Sequence, residues 1–319
     1  MILTVTLNAA IDRTVAVPNF RLGRRHRAVE QSTVAGGKGV NVARALRLLG
    51  RPVLATGLAG GPTGTRIVEQ LTEEGVLNDF TRIAEESRTN LAVIDPTSGE
   101  QTEINERGPA VSPEDIDEFV EKLLYLAQGA DFCVIAGSVP PGIDPDVYGR
   151  LVTELHRLEV PALLDTDGEP MRVGLRAAPA VVAPNAAEAE EAVGHEFHDG
   201  DDLTLGLREL IEMGAGEAII TREAGCVAIV GEASARRRYE VEIAPLDPVA
   251  SVGSGDAFLA GYVAARYGGG SPRECLAYGV ACGAESTQHF GAGTLDPRDV
   301  ERLLPRVEVR ELDVPAGVA

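Results

Sequence analysis

The sequence predicts an α/β protein: a Rossmann-like, doubly wound, mainly parallel sheet, with a small β-sheet lid outside it. Three observations carry this. Short β-branched runs alternate with stretches of helical periodicity, Gly or Pro stands at the joints, and two polar strand-like stretches break the rhythm.

In chain order, strands are expected at 2–7, 53–58, 132–136, 161–165, 180–183, 217–221 and 226–230, where apolar β-branched residues cluster over strand-sized lengths. Helices are expected between them. Gly39 to Leu49 puts Val40, Ala43, Leu46 and Leu48 on a helical face, and Thr63 to Gly75, Pro113 to Gln128, Pro145 to Leu158 and Asp202 to Gly214 behave similarly. An apolar helix runs from Ala257 to Tyr267. The polar stretches 12–34 and 86–107 carry no helical period and are expected to pair as the lid, inserted in a single domain spanning 1–319. In such folds ligands bind beyond the carboxyl ends of the strands, so the loops after strands are the places to search.

Composition excludes several classes. The chain has 319 residues and a formal net charge of −20, which argues against binding nucleic-acid phosphates or anionic lipid. Trp is absent and aromatic residues make up 4%, too few for base-stacking platforms. Apolar runs fall far short of the roughly 18 residues of a membrane span. Cys133, Cys226, Cys275 and Cys282 form no C-x-x-C pair, and the first residues lack a signal-peptide pattern, so reduced thiols in a cytoplasm are expected. The charge is uneven: residues 13–51 hold nine Lys/Arg and one acid, whereas 183–202 hold seven acids and no Lys or Arg.

Familiar signatures fail. Gly37-Lys38 is followed by Gly39, which is not a P-loop, and Gly253-Ser254-Gly255 reaches Phe258 where a dinucleotide fingerprint needs Gly. No G-x-S-x-G elbow occurs. His195 and His198, with Glu191 a turn earlier, read more simply as solvated surface than as a metal site.

Five segments remain. Gly253-Ser254-Gly255-Asp256 opens an apolar helix, so its free N–H groups and positive dipole end form an anion site with a carboxylate beside it. Gly36-Gly37-Lys38-Gly39-Val40-Asn41 strips a turn of side chains and projects Lys38 and Asn41 at a helix start. Asn185 and Glu188 lie three apart after a strand, where they can hold a hydrated Mg²⁺ or simply cap the helix. Asp12 follows the first strand, where it can accept hydrogen bonds from hydroxyls or serve as a turn residue. Gly137 to Gly142 form a rigid loop at the same sheet edge.

Taken together and in this order, these segments resemble the ribokinase-like sugar kinases, the PfkB family, over Thr4 to about Thr294. Thr6 to Thr14, Ser87 to Leu91 and Gly137 to Gly142 look like that family's phosphosugar branch. The resemblance implies an ATP-dependent kinase with Asp256 as general base and Gly253, Ser254 and Gly255 as an anion hole for the transferred phosphoryl group. It also implies Asp12, Gly37 and Asn41 on sugar hydroxyls, with Lys38, Arg27 and Arg88 on a substrate phosphate. Asn185, Thr221, Gly225, Gly283 and Thr287 would surround the nucleotide, and Asn185 and Glu188 would organise Mg²⁺ through water. A monovalent cation near 250–252 and a homodimer formed through the lid are further implications. The first expected acceptor is fructose 1-phosphate. Tagatose 6-phosphate, fructose 6-phosphate and an unphosphorylated sugar or nucleoside are alternatives, as is a catalytically weak binding module. Four departures stand out: Ala183 where the family usually has Lys, Ser254 for Ala, Ala9 for Pro, and Asp167 for Ser.

Overall fold

Alternation along the strands explains the two-faced core. In β1 (Ile2–Thr6) Ile2 faces one helical layer while Leu3 and Val5 face the other, and β8 (Phe132–Ala136) divides Val134 and Ala136 from Cys133 and Ile135 in the same way. The computed structural model describes residues 1–231, 235–250, 252–289 and 291–312.

Around β1 lie β4 (Val53–Gly60) and β5 (Leu77–Ile83) on one side and β8, β9 (Ala162–Asp165), β10 (Val181–Val182) and β11 (Glu217–Arg222) on the other, all parallel. The antiparallel strands β12 (Gly225–Val230), β13 (Arg237–Glu242) and β14 (Glu308–Leu312) complete the sheet of ten. Because the chain leaves β1 first for β4 and only later for β8, the strand order reverses beside β1, which places a crevice at its carboxyl end.

One face is covered by α1 (Lys38–Leu48), α2 (Gly61–Glu73), α8 (Ser254–Tyr267), α9 (Pro272–Ser286) and α10 (Pro297–Leu303). The other is covered by α3 (Pro113–Leu126), α4 (Val147–Arg157), α5 (Gly168–Leu175), α6 (Ala186–Val193) and α7 (Gly200–Glu212). A separate four-stranded sheet, ordered β3–β2–β6–β7, is built from β2 (Ala10–Ala16), β3 (Glu30–Gly36), β6 (Arg88–Ile94) and β7 (Gln101–Ile104). Its central pair, β2 and β6, is parallel, with antiparallel strands outside. The expected ribokinase-like architecture, a mostly parallel sheet with a small second sheet, is what the chain adopts.

Several elements escaped the sequence patterns. Helix α9 was not anticipated because it is buried on several sides, with Cys275, Leu276, Gly279, Val280, Cys282 and Glu285 all buried, so it has no single apolar stripe. Strand β14 is mostly exposed along an edge and lacks the apolar run that marked the interior strands. Among the described residues no helix is long and apolar enough to cross a membrane.

Candidate active site

A cavity of about 530 Å³ lies at the carboxyl ends of β1, β8, β9, β10 and β11, and the small sheet forms its opposite wall through residues of β2, β6 and β7. The glycine-rich segments expected to carry chemistry meet there, although they are far apart in the chain.

Helix α8 begins at the cavity. Gly253 takes a left-handed conformation (φ 82°) as its N-cap, and a Cβ there would stand 2.6 Å from the Ala292 Cβ, so both backbone and space require glycine. The first intrahelical bond runs from the Ala257 N–H to the Gly253 carbonyl at 2.9 Å, which leaves the N–H groups of Ser254, Gly255 and Asp256 ahead of the helical ladder. Gly255 is different. A Cβ built on it would meet no protein atom within 4 Å, so the missing side chain leaves open space at the cavity wall rather than relieving a clash.

Asp256 is buried in the first turn of α8, and its Oδ2 accepts a 2.8 Å hydrogen bond from Asn41 Nδ2. Burial, reinforced by the nearby Asp165 carboxylate, pushes its carboxyl up to about 7, against the opposing pull of Lys38 and Asn41. A carboxylate poised near neutrality suits proton abstraction at physiological pH.

Lys38 opens α1, and its Nζ lies 2.8 Å from Glu188 Oε1 and 3.2 Å from Asp165 Oδ1. Burial opposes its charge, but Asp165, Glu188 and Asp256 outweigh that and hold the ammonium protonated. Burial raises the Asp165 carboxyl, with Lys38 offsetting part of the rise. Glu188 also closes the capping box of α6: its Oε2 accepts the Asn185 N–H, and Asn185 Oδ1 accepts the Glu188 N–H, each at 2.9 Å. Ala183 lines the same cavity, so no side-chain cation enters from that position.

On the small sheet, Asp12 Oδ1 accepts from Asn90 Nδ2 at 2.8 Å, and Gly36 is pressed so close that a Cβ would overlap the Asp12 carboxylate. Burial raises the Asp12 carboxyl despite Asn90 and Arg88. Arg88 donates from Nε to the Asn8 carbonyl at 3.1 Å and from a terminal nitrogen to the Glu106 carbonyl at 2.9 Å. Burial lowers its pKa, and Asp12 opposes that shift.

Of the residues singled out from sequence, the cavity brings together Asp12, Gly37, Lys38, Asn41, Arg88, Asn185, Glu188, Thr221, Gly253, Ser254, Gly255 and Asp256. Arg27 is exposed in the loop between β2 and β3 and does not line it. Gly225, Gly283 and Thr287 do not line it either. Gly225 packs tightly on the Val241 carbonyl, Gly283 lies against the start of α8, and the Thr287 carbonyl accepts the N–H groups of Val249 and Ala250. Ser251, within the 250–252 segment, is outside the described residues. His195 pairs with Glu209 at 2.7 Å, and among the described residues no group of three His, Cys, Asp or Glu forms a metal cluster. Asn90 and Asp165 line the cavity although sequence patterns assigned neither a site role. Asn90 sits two positions from Arg88 on one strand, a spacing that puts both on one face. Asp165 was noted only as part of a departure from the family pattern, although it ends a strand at the carboxyl edge.

A helix-borne carboxylate beside a glycine-rich helix start, at the switch point of a doubly wound sheet roofed by a small sheet, is the arrangement expected of a phosphotransferase of the ribokinase-like fold. The chain matches the pfkB family carbohydrate kinase over residues 3–299 and belongs to that family. It is similar to a 1-phosphofructokinase of Borreliella burgdorferi, with 31% identity over 313 residues, 98% of this chain and 99% of the relative. A 1-phosphofructokinase of Rhodobacter capsulatus is 32% identical over 98% of each chain. Among solved structures, phosphofructokinase-2 from Escherichia coli in complex with substrates and products superposes with a TM-score of 0.88 at 26% identity, covering 95% of this chain and 98% of that one.

Proposed function

We propose that this kinase transfers the γ-phosphoryl group of ATP to a hydroxyl of a sugar phosphate, with fructose 1-phosphate as the preferred acceptor. The observation that carries the acceptor's phosphate is Arg88: a half-buried guanidinium lining the same cavity as Asp256. Full-length similarity to two 1-phosphofructokinases supports the choice of sugar.

In this reading Asp256 takes the proton of the acceptor hydroxyl as its oxygen attacks the γ-phosphorus. A new P–O bond forms, the bond from phosphorus to the β–γ bridging oxygen breaks, ADP leaves and the proton stays on Asp256. The N–H groups of Ser254 and Gly255 face the charge that develops on the equatorial oxygens, a kind of contact worth about 2.7–4 kcal/mol per donor elsewhere. Asn41 holds the carboxylate, and Asp12 with Asn90 receives sugar hydroxyls. Lys38 was expected on the acceptor's phosphate. Its position against Asp165 and Glu188 favours instead the phosphates of ATP, where Ala183 offers no cation.

Mg²⁺ supplies charge neutralisation for the triphosphate. Asn185 and Glu188 already spend oxygens on the α6 cap and on Lys38, so with Asp165 and Asp167 at the cavity wall they fit a hydrated ion held through water. A monovalent cation near 250–252 is a further part of the proposal. An Escherichia coli phosphofructokinase-2 structure contains potassium. Homodimerisation through the small sheet is supported by exposed Leu22 and Val29 in its β2–β3 loop. Cytoplasmic residence is supported by four buried, unpaired cysteines.

The test is ATP turnover on fructose 1-phosphate, fructose 6-phosphate, tagatose 6-phosphate and the unphosphorylated sugars. Fructose 1-phosphate should lead by at least tenfold in kcat/KM, on the order of one charge-assisted contact. Equal turnover of free fructose would remove the role given to Arg88.

A further inference from the structure

Behind the proposed base stands a buried arginine that touches no open part of the cavity. Arg44, one turn after Asn41 on α1, is 7% exposed. One terminal nitrogen donates to Asn41 Oδ1 at 3.2 Å and to the Ala292 carbonyl at 3.3 Å. The other donates to the Ala35 carbonyl at 2.6 Å and to Glu74 at 3.2 Å, while Nε reaches Glu74 at 2.7 Å.

Each partner leads to a working part of the site. Ala35 precedes Gly36, whose backbone is packed on the Asp12 carboxylate. Ala292 is the residue against which the Gly253 turn rests, and the adjoining Gly293 is packed so tightly on Asn41 that a Cβ would stand 2.7 Å from the Asn41 carbonyl oxygen. Asn41 is the residue that holds Asp256.

The Asn41 amide has two ends, an acceptor and a donor. A guanidinium has only donors, so with Arg44 occupying Oδ1 the Nδ2 end must face Asp256. The reverse orientation would bring the amide oxygen against the Asp256 carboxylate and Nδ2 against a cation, two repulsive contacts.

We propose that Arg44 is a positioning residue for phosphoryl transfer: it fixes the Asn41 amide so that Asp256 is held by a donor. This rests on the reading of Asp256 as base. Glu74, at the end of α2, balances the charge of Arg44 and contacts it from outside the cavity.

The test is a double-mutant cycle on Arg44→Met and Asn41→Ala, with steady-state kinetics and thermal melting of each full-length variant. Arg44→Met should lower kcat on the order of 10–100-fold, as small misplacements of catalytic groups do, with KM for ATP within about twofold of wild type. In the double variant kcat should equal that of Asn41→Ala alone within about twofold, because Arg44 acts through Asn41. Losses that multiply, or an unchanged kcat in Arg44→Met, would overturn the proposal. Should Arg44→Met fail to fold, Arg44→Lys replaces it in the cycle, since it keeps a charge opposite Glu74 but lacks the planar fork that spans Asn41 and Ala35. Asp256→Asn in the same assay separates the two levels. If it abolishes turnover while the losses multiply, only the role of Arg44 falls; if it retains turnover, the base assignment falls and the proposal with it.

Discussion

The Lys38 ammonium stands 2.8 Å from Glu188, and this ion pair joins the first glycine-rich turn to the start of α6 across 150 residues of sequence. Asp165 makes the pair a triad, and the three charges set the electrostatic balance of one end of the cavity. Lys38→Met should leave two carboxylates facing ATP without a cation. kcat/KM for ATP is expected to fall about 100-fold, consistent with loss of a charge-assisted contact plus new repulsion. The Lys38 side chain is about a third exposed (32%), so the cost in stability should stay below the roughly 3–5 kcal/mol of breaking a fully buried pair. Steady-state kinetics and urea unfolding check the two parts.

Two glycines of one turn should respond oppositely to the same substitution. Gly253→Ala puts a Cβ 2.6 Å from Ala292 at a left-handed φ of 82°, and a loss of about 1–3 kcal/mol in unfolding free energy is expected. Gly255→Ala meets no protein atom, so the protein should fold with stability within about 0.5 kcal/mol of wild type or slightly better. Its methyl group enters the space beside the anion site, and turnover should fall on the order of 100-fold. Denaturation midpoints beside kcat for both variants give the comparison.

Removing Arg88 should act on the acceptor alone. Arg88→Ala is expected to raise KM for the sugar phosphate by about 10–100-fold, the equivalent of a charged hydrogen bond, with KM for ATP little changed. Initial rates with each substrate varied at saturation of the other show the split.

Because Asp256 is pushed up to about 7, kcat/KM should have an acid limb with an apparent pKa of about 7, activity being lost below it as the base is protonated. Stability should run the other way. The folded pKa lies above the reference 3.8, so the folded chain holds the proton more tightly, and stability falls as pH rises from about 3.8 through about 7. Asp256→Asn should therefore raise the melting temperature more at pH 8 than at pH 4, read by calorimetry at both values.

How far the sequence reaches is clear from particular residues. The interior strands around β1 were legible because burial on both faces forces continuous apolar runs, and α1 because Val40, Ala43 and Leu46 recur at the helical period, although every residue from Gly39 to Leu46 is buried. Helix α9 is buried on several sides, and its apolar residues mark no single stripe. In the small sheet the pairing of the two polar stretches was legible, but its direction was not: β2 and β6 run parallel although 72 residues separate Ala16 from Arg88, and no local turn chemistry encodes that choice. At the site, the glycine turns and Asp256 stood out as motifs. Arg44 and Asp165 did not, because their meaning lies in partners such as Ala292 and Lys38 that are distant in sequence. Arg27 illustrates the converse: a basic residue in a basic segment, which the fold leaves exposed outside the cavity wall.

The assignment of Asp256 as the base is tested most directly by phosphoryl transfer from ATP to fructose 1-phosphate in Asp256→Asn, measured beside wild type at pH 8. The side chain keeps its size and loses its ability to accept the proton, so kcat should fall by about 10²–10⁴-fold, with KM for both substrates within a few-fold of wild type. Transfer by the Asn variant within tenfold of wild type would contradict it.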